Sequence, residues 1–140
     1  MHKRSNADLP EDLANRLQTH GILPTKQRLG IAAVLFEHDQ HLSADQVQEK
    51  VNHKYDRVSK ATVYNTLNLF ARQGLVREVV VNPSKVFYDT NTHAHHHFYN
   101  VDSGELMDIP ETDLKVSRTP KSPRGTVTEG VDIVVRIRNQ

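Results

Sequence analysis

The 140-residue sequence lacks cysteine entirely. Without thiols it can form no disulfide, no thiolate metal site and no cysteine nucleophile. Apolar residues make up only 36%, and no apolar run is long enough to cross a bilayer. Neither sign of charge dominates, since the sequence contains 18 Lys and Arg residues and 17 Asp and Glu residues. These shortages exclude a polybasic coat protein and an acidic tail, whereas a DNA-binding protein needs only a local basic face.

The amino terminus also lacks the apolar stretch of a secretory signal, since residues 1–6 are mostly polar. We therefore expect a cytoplasmic protein with no membrane partner. The low apolar content favours two modest cores over one large core. Histidine, in contrast, is plentiful: four of the nine histidines fall within residues 93–97, where we look first for chemistry.

The first half of the chain has the periodicity of helices. Pro10 suits the first turn of one helix. Thr25 and Ser59 are expected to cap two more, and Ser43 begins a capping box for a further helix. Gly74 follows the last apolar position at helical spacing, where glycine commonly ends a helix.

The apolar period changes to two after residue 74. Two hairpins are predicted, with turns at 82–84 and 102–104. Segment 131–137 alternates apolar and polar residues, which predicts a half-buried strand. Two prolines and a glycine prevent a long helix over 119–125. Helices followed by a hairpin are typical of a winged helix-turn-helix, so we expect an α+β chain with its domain boundary near residues 82–90.

The predicted helix that begins after Ser59 carries polar groups at its first turns, the end that a recognition helix places in the major groove. Lys60, Thr62 and Tyr64 could contact phosphate, and Asn65 could pair with adenine. The alternative is a solvated helix face with an ordinary serine cap. The candidate DNA contacts of this region are Arg57, Ser59, Lys60, Thr62, Tyr64 and Asn65.

The histidine cluster predicts a metal site. On a strand, His95 and His97 point to one face and His96 to the other. Two aspartates on neighbouring strands and one histidine of the helical half could add ligands, although each alone is more often a surface residue. Nitrogen and oxygen donors without sulfur suit Fe²⁺ or Mn²⁺, with Zn²⁺ as an alternative. The candidate ligands are His41, Asp89, His95, His97 and Asp108.

Five stretches together resemble the ferric-uptake-regulator superfamily, and more narrowly its Irr-type iron-response regulators. The resemblance covers nearly the whole chain, and the alanine-threonine-valine-tyrosine run at 61–64 is its most specific motif. The matching stretches are Leu23–Arg28, Ala61–Asn68, Phe87–Asn91, His95–Tyr99 and Met107–Pro110.

The resemblance implies a winged-helix DNA-binding domain over 1–84 and a small strand-rich αβ dimerisation domain over 85–140. It also implies a homodimer that binds a double-stranded operator, with one divalent metal per subunit. The family's regulatory metal site falls on the same five ligands, and its DNA contacts fall on Arg28 and Tyr64. In the Irr-type subfamily the run His95, His96 and His97 is implicated in haem binding, so haem is an alternative cofactor.

The sequence also departs from the family pattern. Many relatives hold a structural zinc with two Cys-x-x-Cys pairs, but here Asn100 and Ser103 stand at the first pair, so that zinc is expected to be absent. A further family metal site is broken by Ala94 and Lys115. Asn65 stands where arginine is common, which predicts a different operator.

These observations predict a transcriptional regulator of iron or haem homeostasis rather than an enzyme. The first alternative is a peroxide-sensing Fe- or Mn-dependent repressor of the same superfamily. The second is a metal-dependent hydrolase that would use metal-bound water. A five-ligand cage leaves little open coordination for such an enzyme, and the sequence offers no separate general base.

Overall fold

The computed structural model describes residues 11–140, so Pro10, the expected first-turn residue, lies outside the described part, as does the segment 1–6. The chain divides into two compact units between Thr92 and His93. The predicted boundary at 84/85 therefore needs correction. Segment 85–89 belongs to the first unit because it pairs with two other strands there.

The first unit is built mainly from four helices. The three N-caps expected from the sequence are confirmed. The side chains of Thr25 and Ser59 accept hydrogen bonds from backbone N–H groups in the first turn, and Ser43 forms a reciprocal capping box with Gln46. The helices are α1 (Glu11–Thr19), α2 (Lys26–Leu35), α3 (Ala44–Lys54) and α4 (Lys60–Arg72).

The core of this unit lies between the helices. Their apolar residues recur at helical spacing, so each helix presents one apolar face to the others. Five of the fully buried side chains come from all four helices: Leu17, Leu35, Val47, Leu67 and Phe70. This packing fixes the orientation of α4, whose opposite face is left exposed to solvent.

A three-stranded antiparallel sheet completes the first unit. Gly74, with φ of +75°, ends the turn after α4 and leads into the hairpin, as the sequence predicted. The hairpin strands are β2 (Arg77–Asn82) and β3 (Lys85–Asp89), and a short strand, β1 (His41–Leu42), pairs with the other side of β3. The predicted order of helices followed by a hairpin is present in this unit.

The second unit contains a mixed three-stranded sheet. Its strands are β4 (His97–Asn100), β5 (Leu106–Asp108) and β6 (Val134–Ile137), in the order β5-β4-β6. β5 runs antiparallel to β4 and β6 runs parallel to it. Segment 109–133, which joins β5 to β6, contains neither helix nor strand, in agreement with the proline-rich composition of 119–125.

The predicted burial of the last strand needs correction. Segment 131–137 was expected to bury every second side chain, but Val135 is 37% exposed and only 134–137 is strand. β6 is an edge strand of a small sheet, so little apolar surface is available to cover both of its faces. Within residues 11–140, no helix is long and apolar enough to cross a membrane.

Candidate metal centre and nucleic-acid interface

The second unit brings two imidazoles to one carboxylate. Asp108 on β5 is the register partner of His97 on β4. The Oδ1 atom of Asp108 lies 3.2 Å from Nε2 of His97 and 3.4 Å from Nε2 of His95. Both histidines are buried, whereas the Asp108 side chain is 57% exposed. We call these three residues the histidine-aspartate triangle.

The tautomer of a neutral His95 follows from the hydrogen-bond partner of its Nδ1 atom. Nδ1 lies 2.6 Å from the carbonyl oxygen of His93, and a carbonyl can only accept, so Nδ1 carries the hydrogen. In the neutral ring the lone pair is then on Nε2, which faces the Asp108 oxygen. Two electron-rich atoms at this distance repel each other unless a cation, either a proton or a metal ion, lies beside them.

The spacing of the triangle fits a bound divalent ion. Ligand bonds of about 2.1 Å place neighbouring ligand atoms of one ion about 3.0–3.4 Å apart. The two N···O distances, 3.2 and 3.4 Å, lie in this range. Two imidazole nitrogens and one carboxylate oxygen also form a donor set that first-row divalent metals accept. The triangle therefore offers part of a metal site.

His96 precedes β4, which begins at His97, and its side chain bonds to the segment before β6 rather than to Asp108. Its Nδ1 atom lies 3.0 Å from the backbone nitrogen of Ile133, which must be the donor. A neutral His96 therefore carries its hydrogen on Nε2 and has no lone pair there for a metal or haem iron. This geometry gives His96 a structural role beside β6 and weakens its assignment as a haem ligand.

The first unit brings together the other two predicted ligands. His41 on β1 is the register partner of Asp89 on β3, and one ligand atom of each lies within 4.8 Å of the other. Asp89 is 3% exposed and accepts a hydrogen bond of 2.9 Å from the backbone nitrogen of Asn91. The ring of His41 packs edge-on against the ring of Phe87, with 6.5 Å between the ring centroids. A buried carboxylate beside an imidazole is a second partial donor set.

The predicted DNA contacts on α4 fall into two groups. Ser59 and Thr62 are engaged in the cap, since the Ser59 oxygen accepts from the Thr62 backbone and the two hydroxyls lie 2.9 Å apart. Lys60 lies 3.3 Å from the Asp45 carboxylate, and both side chains are well exposed. Tyr64 is 41% exposed, and Asn65 is exposed one position later. Ser59 and Thr62 are therefore occupied by the cap, whereas Lys60, Tyr64 and Asn65 are accessible to a nucleic acid.

The other two predicted contacts lie beside this face. Arg28 on α2 donates to the carbonyl oxygen of Leu23 at 3.0 Å, which holds its guanidinium near the start of the helix. Arg28 also lines a groove of ≈ 310 Å³ together with Thr62 and Asn65. Arg57 is exposed in the loop between α3 and α4. The structure thus gathers three of the candidate contacts, Arg28, Thr62 and Asn65, around one groove.

A second groove, of ≈ 360 Å³, includes residues that the sequence analysis missed. It lies between the start of α3, the exposed side of α4 and the hairpin turn, and its lining includes Asp45, Tyr64 and Lys85. Lys85 begins β3 and adds a cation at the hairpin. The sequence contained a signal for Lys85, because it directly follows the predicted hairpin turn at 82–84, and a basic residue beside such a turn is a candidate phosphate contact.

Tyr88 anchors this hairpin to α4. Its hydroxyl donates to Oδ1 of Asn68 at 3.3 Å. Burial raises the pKa of Tyr88 to about 12, and the neighbouring Glu78 and Tyr64 add to the rise. The phenol therefore stays neutral at physiological pH and keeps its hydrogen bond.

The model of the ferric uptake regulator family matches residues 19–135. The chain belongs to the ferric uptake regulator family. Among its curated relatives, the peroxide-responsive repressor PerR of Staphylococcus epidermidis is 32% identical over 76% of this chain and 71% of its own length. PerR of Staphylococcus aureus strain Mu50 is 33% identical over 76% of this chain and 72% of its own length. The resemblance to the superfamily is confirmed, whereas these relatives are named as PerR and not as Irr-type regulators.

Solved structures of the family share the fold. The ferric uptake regulator of Pseudomonas aeruginosa, solved with manganese, has a TM-score of 0.68 and is 25% identical, over 90% of this chain and 96% of its own. The ferric uptake regulator of Francisella tularensis, solved with iron, has a TM-score of 0.66 and is 18% identical, over 86% of this chain and 93% of its own. The expected mixed α+β class is therefore confirmed, and the relatives are regulators rather than enzymes.

Proposed function

We propose that this family member is a metal-responsive transcription regulator that binds operator DNA as a homodimer. The observation that carries the proposal is the histidine-aspartate triangle, in which one carboxylate oxygen faces two imidazole Nε2 atoms. The relatives named as repressors and uptake regulators support the same reading. No feature of the described residues favours the hydrolase alternative over regulation.

We further propose that the triangle and the His41–Asp89 pair hold one ion together. Neither set is complete, since the triangle offers three donors and the pair offers two, whereas His/Asp sites for Fe²⁺ or Mn²⁺ take four to six ligands. Asp89 and His95 are also close in the chain, since the six residue steps from 89 to 95 can span at most about 20 Å between their Cα atoms. Such tethering raises the effective concentration of one set for the other.

If His41, Asp89, His95, His97 and Asp108 held one divalent ion, they would join the two units through it. The ion would supply positive charge opposite the two carboxylates, and its binding would favour the arrangement in which all five ligands are engaged. A coupling of about 1–3 kcal/mol between metal and DNA is sufficient for regulation. Only a difference in metal affinity between the DNA-binding arrangement and the others can provide that coupling.

On the DNA side, the exposed part of α4 would enter the major groove. Tyr64 and Lys60 would contact phosphate, Asn65 would read a base edge, and Arg28 and Arg57 would hold the flanking backbone. Ser59 and Thr62 would act through the cap, because their hydroxyls are already engaged there. A homodimer would place two such helices on the two halves of one operator.

The donor chemistry favours Fe²⁺ or Mn²⁺ in the cell, with Zn²⁺ as the competitor that binds such sites more tightly. A response to peroxide is the second candidate function, and the names of the staphylococcal relatives favour it. An iron-response or haem-sensing role of the Irr type has less support. Neither these names nor the hydrogen bond of His96 favours haem at 95–97.

The deciding experiment measures DNA binding with and without metal. Duplexes selected from a random pool by the Mn²⁺-loaded protein would be titrated by fluorescence anisotropy, and we expect binding to weaken when the metal is removed. His41→Ala should remove the metal dependence, whereas His38→Ala, a change of an exposed histidine in the same unit, should retain it. Operator binding that is equally tight without metal would contradict the proposal.

The same assay separates the two regulatory responses. Hydrogen peroxide should release DNA from the Fe²⁺-loaded protein but not from the Mn²⁺-loaded protein if the chain senses peroxide. Equal retention by both forms, together with release by haem, would instead favour the iron-response reading.

A further inference from the structure

The structural zinc of many family members does not fit this chain. Zinc in structural sites prefers cysteine sulfur and histidine nitrogen, and the sequence contains no cysteine. At the position of the first cysteine pair, Asn100 and Ser103 offer only neutral oxygens. Oδ1 of Asn100 already accepts two hydrogen bonds, from the backbone nitrogens of Asp102 at 2.9 Å and Ser103 at 3.1 Å.

Side chains at this turn instead reach the segment after β6. Since Oδ1 of Asn100 faces two N–H donors, its amide nitrogen points outward and donates to Oδ1 of Asn139 at 2.9 Å. The carboxylate of Asp102 accepts from the backbone nitrogen of Asn139, also at 2.9 Å. We call Asn100, Asp102 and Asn139 the asparagine clasp.

The turn itself is built to present these groups. The backbone nitrogen of Gly104 donates to the carbonyl of Asn100 at 2.8 Å, and Gly104 has a φ of +76°, which favours glycine. The Ser103 hydroxyl accepts from the backbone nitrogen of Glu105 at 3.2 Å. The side chains of the turn are therefore ordered before they meet the segment after β6.

The opposite end of β6 has a comparable attachment. There Nδ1 of His96 accepts from the backbone nitrogen of Ile133, and the carbonyl of Ile133 accepts from the backbone nitrogen of His97 at 3.1 Å. Between these two ends, β6 is joined to β4 by a parallel ladder of four residue pairs. A short edge strand of this kind is marginal alone, so bonds at its ends matter.

We propose that the asparagine clasp performs, without metal, the tethering that structural zinc performs elsewhere in the family. It holds the end of β6 against the turn between β4 and β5, so the second unit stays folded when metal is absent. Because β6 supports the strand that carries His97, the histidine-aspartate triangle would persist in the metal-free protein. The clasp does not depend on the proposed regulatory function.

Hydrogen–deuterium exchange of the full chain tests this proposal. The protein would first be freed of metal with a chelator, and its metal content would be checked by elemental analysis. Because β6 pairs with β4 on one side only, every second N–H group of β6 faces β4, and we expect the amides of Val135, Ile137 and Asn139 to remain protected. Protection that appears only after zinc is added would overturn the proposal, whatever the outcome of the DNA-binding assay.

Variants assign the protection to the clasp. Asp102→Ala removes one hydrogen bond and Asn100→Ala removes three, so each should raise the exchange rates of these amides, by about 5-fold for Asp102→Ala and up to about 30-fold for Asn100→Ala. Gln140→Ala, which changes the neighbouring polar residue, is the matched control. In a double-mutant cycle, Asn100→Ala and Asn139→Ala should be less than additive, because they remove the same bond. Full additivity, or equal exchange in the control, would contradict the clasp.

Discussion

Asp108→Asn offers the sharpest test of the candidate metal centre. The substitution keeps the shape of the side chain and removes its negative charge. Because the Asp108 side chain is 57% exposed, the free energy of unfolding should change by no more than about 0.5 kcal/mol. Metal affinity should fall much further, since the lost charge belongs to the oxygen that both imidazoles face.

The size of that loss can be bounded. Residues that merely support metal ligands contribute about 10- to 100-fold in affinity, which corresponds to about 1.4–2.8 kcal/mol. A residue that ligates directly should contribute at least this much. Equilibrium dialysis of the metal-free protein against Mn²⁺ would measure the change, and thermal unfolding would confirm that the variant is folded.

The control and the contrary outcome are equally specific. Glu111→Gln removes one charge from an exposed position of the same unit, so it reports the long-range electrostatic part alone. If Asp108 only accepted hydrogen bonds from protonated histidines, the amide oxygen of asparagine would still accept them. Mn²⁺ binding by Asp108→Asn as tight as that of the Glu111→Gln control would therefore refute the ligand assignment.

Three further results are expected. His97→Ala should abolish tight Mn²⁺ binding in dialysis, whereas His96→Ala should lower thermal stability but keep metal binding; equal losses would contradict the tautomer argument. Tyr64→Ala should weaken operator binding in anisotropy without changing Mn²⁺ uptake, and a parallel loss of both would argue against a DNA contact. Tyr88, whose pKa is raised to about 12, should be the last tyrosine to ionise in an ultraviolet titration. Folding favours the neutral form of its phenol. The contribution of Tyr88 to the free energy of unfolding should therefore be complete below about pH 10 and lost as the pH rises through 12. Tyr88→Phe should remove that late step, and an unchanged titration would contradict the assignment.

Local features of the fold were predictable because they depend on neighbours in the chain. Thr25, Ser43 and Ser59 each cap a helix through a bond to a residue three positions later, so the sequence alone contained both partners. The hairpin turn at 82–84 has the same local origin. The domain boundary was misplaced because the pairing of β3 with β1 joins residues that lie far apart in the chain.

Alternation along the strand predicted which way the candidate ligands turn, but not what surrounds them. The period of two placed His95 and His97 on one face, and both do approach Asp108. The role of His96 could not be predicted, because its hydrogen bond reaches Ile133, 37 positions later. The clasp was equally hidden, since Asn100 and Asn139 are 39 positions apart.

The parallel pairing of β4 and β6 has a consequence for synthesis of the protein. A ribosome produces His96 and His97 well before Ile133, whose backbone bonds to both of them. The nascent chain therefore carries these histidines while one edge of their strand is still bare. The long irregular connection over 109–133 must be made and fold back before that edge is covered, so the sheet of the second unit is completed only when β6 has been synthesised.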